Sequence, residues 1–227
     1  LNSRTFSAEE LVRALISRAR HYTDLNAFIA FDDEQILTDA RRADKRRAEG
    51  DAAPLLGVPI VLKDNIDVAG LVTTGGTNAL RHNVVKRTAP VAQRLLDAGA
   101  IVFGKTNLHE LAFGCTSNNA SFGAVRNPYD PDRIAGGSSG GTAAAVGARL
   151  APDGTGSETG GSGRLHAGFC GNAGPRPTND RSPAGGLVTM SHSYPINTLR
   201  FRRHSMVEIQ GHAATDHKQQ HGYWRSD

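Results

Sequence analysis

The sequence is poor in the features that mark several common protein classes. Its two cysteines, Cys115 and Cys170, lie far apart and outside any CxxC pair. No disulfide framework, zinc ribbon or dithiol redox motif is therefore encoded, and a reducing, cytoplasmic setting is the expectation. No apolar run reaches the roughly 18 residues of a membrane-spanning helix. The opening LNSRTFSAEE lacks the basic-then-apolar order of a secretory leader, and it also lacks an initiating Met. Charge of one sign is not concentrated: 26 Lys and Arg face 22 Asp and Glu, and the net +4 is dispersed. No nucleic-acid module is recognisable, so no direct nucleic-acid contact is expected. Metal-ligand patterns are missing too. His109 and Glu110 adjoin without forming HExxH, Asp64 and Asp67 have no identifiable further ligands, and the tail histidines are irregularly spaced. No metal site is read from these patterns.

Glycine, by contrast, is abundant at 26 residues, and it clusters. The 227 residues suffice for one substantial core. Residues 7 to about 30 read as a helix: Ser7 and Glu10 fit a capping box, and Leu11, Val12, Leu15, Ile16 and Ala19 form an apolar stripe. Residues 33–49 read as a second helix whose Arg41, Arg42, Lys45, Arg46 and Arg47 face solvent. LLGVPIVLKD, residues 55–64, reads as a buried strand with Lys63 at its far end, and residues 70–80 as a loop. A helix over 88–99 and a strand over 100–107 follow, then a short helix candidate over 108–114 and a turn-rich crossing over 126–133. The strand–helix–strand cadence indicates an α/β fold. The small residues from Gly140 to Ala148 suit a closely packed helix, whereas GTGSETGGSGR, residues 154–164, reads as a linker or as a loop that needs glycine geometry and open N–H groups. Beyond residue 190 no period is sustained. Residues 1–50 are thus read as an N-terminal helical segment, 51–190 as the core, and 191–227 as a divergent tail open to disorder.

Three features could carry chemistry: Lys63, the serine pair Ser138 and Ser139 in GGSSGG, and Ser162 in ETGGSGR, 24 residues after Ser138 (138 to 162). A serine hydroxyl needs a base within hydrogen-bond reach, and lysine is a base only where its neutral form is populated, as burial favours. A glycine-rich turn can aim several backbone N–H groups at a developing oxyanion. Composition alone leaves the bland alternatives open: loop serines, and a surface ammonium at a strand end. Neither glycine block has the order of a phosphate loop or of a dinucleotide fingerprint.

The blocks GVPIVLKDNI, GAIVFGKTNLHELAFG, FGAVRNPYDPDRIAGGSSGGTAAAV and GSETGGSGRLHAGFCG, between about Gly57 and Thr178, closely resemble the amidase signature family of serine amidohydrolases. HELAFGCTSNNASFGAVRNPYDP looks most like the indoleacetamide and mandelamide hydrolase type, with a weaker resemblance to the glutamine amidase subunit of a tRNA amidotransferase. The resemblance implies a mixed central sheet flanked by helices. It also implies a Lys–Ser–Ser triad of Lys63, bridging Ser138 (preceded by a cis peptide) and nucleophile Ser162. The backbone N–H groups of Thr159, Gly160, Gly161 and Ser162 would form the oxyanion hole, with Ser139, Glu158 and Arg164 in support. A carboxamide would be cleaved to carboxylate and ammonia through an acyl-enzyme, with an arylacetamide as the first candidate substrate. The implied partner is that small-molecule amide, and no metal or cofactor is implied. No membrane is involved, and a homo-oligomer is allowed.

The sequence departs from the family pattern around the nucleophile: Glu158 stands for Asp, Gly163 for a β-branched residue, His166 for Pro, and Thr155 near a usually apolar position. These changes are expected to loosen Ser162. Family members are also about twice as long, so the C-terminal half of the fold is expected to be missing. An inactive amidase-like fragment and a glutamine amidase of the amidotransferase kind stand as alternatives to the free hydrolase.

Overall fold

The computed structural model describes residues 5–175 and 185–188, together with the backbone of a strand at residues 197–202. The chain begins with α1 (Ala8–His21), whose Ser7 hydroxyl accepts the Glu10 N–H while Glu10 returns the bond to Ser7 N–H, closing the expected capping box. The expected helix to residue 30 stops early. Asn26 turns left-handed (φ 49°), and Phe28–Ala30 leave as strand β1, drawn into the sheet by pairing with residues 105 and 106. Helix α2 (Asp33–Ala48) is capped by Asp32. Most of its cations lie outside in surface pairs such as Arg41–Glu9 and Arg42–Asp39. Arg47 is the exception: it is only 15 % exposed, and it bonds Asp44 and the Leu56 carbonyl.

Strand β2 (Pro59–Lys63), helix α3 (Pro90–Asp97) and strand β3 (Ile101–Thr106) form the expected parallel unit. Pro90 starts α3 with φ already set. The expected helix over 108–114 is instead a single 3-10 turn at Glu110–Ala112, because Leu111 and Ala112 both take positive φ. A two-stranded ribbon follows, β4 (Asn118–Asn119) with β5 (Gly123–Ala124), then helix α4 (Gly140–Gly147), strand β6 (Asp153–Glu158), helix α5 (Arg164–Phe169) and strand β7 (Asn197–Arg202).

The sheet order is β1-β3-β2-β6-β7, parallel among β3, β2 and β6 and antiparallel at both edges. This is the mixed, helix-flanked α/β sheet expected. Residues 154–158, expected as linker or loop, are instead part of its fully buried fourth strand. The glycine there answers to close packing: a Cβ on Gly154 would lie 2.6 Å from Val61 and 2.7 Å from Thr142. Strand β7 lies inside the segment read as a divergent tail, and the remainder of that segment, with its histidines, falls outside the described residues.

Alternation along β2 builds two cores. Ile60 and Leu62 face Ala89 and Ala92 around α3, with Leu95 and Leu96 against them. Val61 faces the other way, into a larger core that contains Val12, Ile36, Phe103 and the α4 alanines. The first 50 residues therefore share the main core with the sheet. Alternation also sends Lys63 to the same face as Val61, beneath the N-terminus of α4.

Candidate active site

Three parallel strands end together, and clefts in such sheets form at the carboxyl ends of the strands. Strand β2 ends at Lys63 and β6 at Glu158, and Asn107 follows β3. Helix α4 is held against this edge with almost no clearance. A Cβ on Gly141 would meet the Asn107 carbonyl at 2.3 Å and the Ala27 carbonyl at 2.6 Å. The Gly141 N–H donates to the Asn107 carbonyl (3.0 Å), and Ser117 Oγ accepts the Gly140 N–H (3.0 Å). The turn into α4 carries Ser138, whose peptide with Gly137 is cis and whose carbonyl accepts the His109 N–H at 3.0 Å.

These supports bring Ser138 Oγ to 2.7 Å from Lys63 Nζ. Both side chains are wholly buried. Burial pulls the Lys63 ammonium from its ordinary 10.5 down to about 7, with the Glu158 carboxylate acting in the opposite sense. Close to neutral pH, Lys63 thus has a substantial unprotonated fraction, as a general base requires. Lys63 Nζ also lies 2.8 Å from Ser157 Oγ, which accepts a second bond from Asn65 Nδ2 at 3.0 Å. A neutral amine has one lone pair and two N–H groups. If one N–H is given to Ser157, the lone pair can face Ser138. Sequence reasoning did not single out Ser157 or Asn65. Their only signal was position, since both fall within the matched blocks beside Lys63 and Glu158.

Ser139 is buried and donates from Oγ to the Ser157 carbonyl (3.3 Å), tying the α4 turn to β6. Glu158 is also buried, and it grips the loop that follows: one carboxylate oxygen accepts the Gly161 N–H, the other accepts the Gly163 N–H, and Arg164 pairs with it at 3.3 Å. One expected oxyanion donor is therefore differently engaged. The Gly161 N–H is taken by Glu158, whose extra methylene relative to Asp extends its reach. The N–H groups of Thr159, Gly160 and Ser162 donate to no described residue. Ser162 itself is half-buried at the surface of the site, and its hydroxyl makes no hydrogen bond to a described residue. The structure thus joins Lys63 to Ser138 and leaves the link to Ser162 open.

A second buried pair stands behind the site. Asp64 and Lys105 are both 1 % exposed and approach to 2.8 Å. Lys105 also donates to the Val72 carbonyl and Thr73 Oγ1, and Asp64 accepts the Thr74 N–H at 3.0 Å. Among the described residues, no group of three or more His, Cys, Asp or Glu could hold a metal ion. No helix among them is long and apolar enough to cross a membrane.

Residues 10–198 match the Amidase family, and the chain belongs to that family. It is 47 % identical over 193 residues to a component of the glutamyl-tRNA(Gln) amidotransferase of Cupriavidus taiwanensis, spanning 85 % of this chain and 38 % of that protein. The corresponding component of the Coxiella burnetii amidotransferase is 42 % identical over 194 residues, spanning 85 % and 40 %. Among solved structures, an amidase superposes with a TM-score of 0.83 at 35 % identity, covering 89 % of this chain and 46 % of that one. The peptide amidase of Stenotrophomonas maltophilia superposes with a TM-score of 0.79 at 33 % identity, covering 88 % and 43 %. The chain spans about two fifths of the length of these relatives. The curated relatives are of the glutamyl-tRNA(Gln) amidotransferase type, which corrects the nearer placement beside indoleacetamide and mandelamide hydrolases.

Proposed function

We propose that this member of the amidase family cleaves a carboxamide to carboxylate and ammonia through a Lys63–Ser138–Ser162 relay. The observation that carries the reading is the 2.7 Å contact between Ser138 Oγ and a fully buried Lys63 whose neutral form is accessible near pH 7. Neutral Lys63 takes the Ser138 proton, and Ser138 takes the Ser162 proton as Ser162 Oγ bonds to the amide carbon. The oxyanion is held by the N–H groups of Thr159, Gly160 and Ser162. The proton then passes outward along the same relay to the leaving nitrogen, the C–N bond breaks, and ammonia departs. Water, deprotonated by the relay, releases the acid and regenerates Ser162. Ser139, Glu158 and Arg164 position these groups and do not react.

Two substrates fit this chemistry. Glutamine, hydrolysed to supply ammonia within an amidotransferase assembly, is favoured by the amidotransferase relatives. A free carboxamide, with an arylacetamide as the first to try, is favoured by the amidase and the peptide amidase that superpose on this chain. The test is labelling of the purified chain with a fluorophosphonate probe beside a Ser162→Ala control, the adduct being located by peptide mass spectrometry. Label on Ser162, lost in the control, is expected, and glutamine and phenylacetamide are then compared as competitors of labelling. Folded protein without label would overturn the reading in favour of an inactive amidase-like fragment.

A further inference from the structure

His166 stands where the family pattern has proline, and the structure gives the imidazole a partner that proline could not hold. Its Nδ1 lies 3.2 Å from the carbonyl oxygen of Gly137, the residue immediately before Ser138. His166 belongs to α5, the helix that opens two residues after Ser162. One side chain therefore ties the segment bearing the nucleophile to the segment bearing the bridging serine.

The surroundings fix this contact. His166 is wholly buried, and a Cβ on Gly136 would lie 2.6 Å from His166 Cβ, so the start of the His166 side chain is packed directly against the turn it binds. Further bonds dock α5 on the same turn and on α4: Cys170 Sγ to the Ala135 carbonyl at 3.4 Å, and Asn172 Nδ2 to the Ala143 carbonyl at 2.8 Å. A carbonyl oxygen only accepts hydrogen bonds, so His166 Nδ1 must carry the proton. Burial, with the Lys63 charge adding to it, holds the imidazolium form down to about 3, and the ring stays neutral through the working range.

We infer that His166 is a positioning residue: its Nδ1–H, donated to the Gly137 carbonyl, orients the Gly137–Ser138 peptide and sets the spacing between Ser138 and Ser162. The inference rests on the proposed Lys–Ser–Ser relay for its kinetic consequence but not for its structural one. In the native chain the direct test is two-dimensional long-range ¹H–¹⁵N NMR of the histidine rings, with His166 assigned by its absence in His166→Asn. An Nδ1–H tautomer is expected. An Nε2–H tautomer would overturn the inference, whether or not the chain labels with any probe.

The kinetic test compares His166→Leu, which keeps bulk and loses the donor, with His166→Asn, whose Nδ2 can replace Nδ1. The Leu variant should label Ser162 about tenfold more slowly, the scale of one hydrogen bond, and Asn should recover most of that loss. Equal rates in Leu and native protein, or equal losses in Leu and Asn, would overturn the inference. Should the Leu variant not fold, the tautomer measurement on native protein decides alone.

Discussion

Glu158 holds the backbone N–H groups of both Gly161 and Gly163, one on each carboxylate oxygen, and Ser162 is the residue between them. The loop of the proposed nucleophile is thus clamped from inside by a side chain one methylene longer than the family's Asp. Glu158→Asp draws the carboxylate back by one methylene and is expected to give up one of the two groups. Releasing the Gly161 N–H to the site should raise the rate of Ser162 labelling by about tenfold or more, given that one oxyanion donor is worth on the order of 10²–10³ in rate. A rate that falls would mean that the clamp is needed as it stands.

The pH dependence of labelling follows Lys63. Its neutral form is the proposed base, so the rate should climb with pH and level off above about 7. The Glu158 carboxylate raises the Lys63 pKa. Glu158→Gln should therefore move the inflection to lower pH, whatever it does to the plateau. An unmoved inflection would dissociate Lys63 from the titration.

The same shift has a consequence for stability. The folded-state value of about 7 lies below the ordinary 10.5, so between those limits the unfolded chain binds more protons than the folded one. The Lys63 contribution to unfolding free energy should rise with pH across that window. Urea denaturation of native protein and Lys63→Met, compared at pH 7 and pH 10, should show the rise in the native chain and its loss in the variant.

Asp64 and Lys105 form a buried pair behind the site. Removing one partner leaves the other charge uncompensated, which costs about 3–5 kcal/mol. Asp64→Asn should lose that much by urea denaturation, and Asp64→Asn with Lys105→Met should recover part of it. An additive double variant would show that the charges act independently.

The seat of α4 can be tested with two glycines. Gly141→Ala puts a methyl into two backbone carbonyls, and overpacking of that kind costs about 1–3 kcal/mol. Gly160→Ala meets nothing within 4 Å and should leave the melting temperature unchanged.

What could be read from the chain depended on whether a segment's own side chains determined its state. Strand β2 was legible because PIVLK is apolar, and α4 because its small residues pack only as a tight helix. Strand β6 was not, because DGTGSE carries no strand signal of its own: its place is set by Val61 and Thr142, which leave room for glycine and nothing larger. Strand β1 was hidden because Phe28–Ala30 continued an apolar pattern, and the break at Asn26 is a backbone event. Lys63, Ser138 and Ser162 were singled out as candidates through several matched blocks in order, and the structure brings the first two into contact. The partners Ser157, Asn65 and the Gly137 carbonyl were not, since only the strand ends bring them within bonding distance.

The contacts that enclose Lys63 come from far along the chain: Ser138 lies 75 residues away in sequence and Ser157 lies 94 away. Pairings of such long range are the slow part of folding. Until β6 and the α4 turn close over β2, Lys63 is a hydrated ammonium and Ser162 an ordinary alcohol. The proposed reactivity is therefore a property of the finished topology. In a growing or partly unfolded chain Lys63 has neither its burial nor its serine partners, and the proposed relay is assembled in the same event that completes the core.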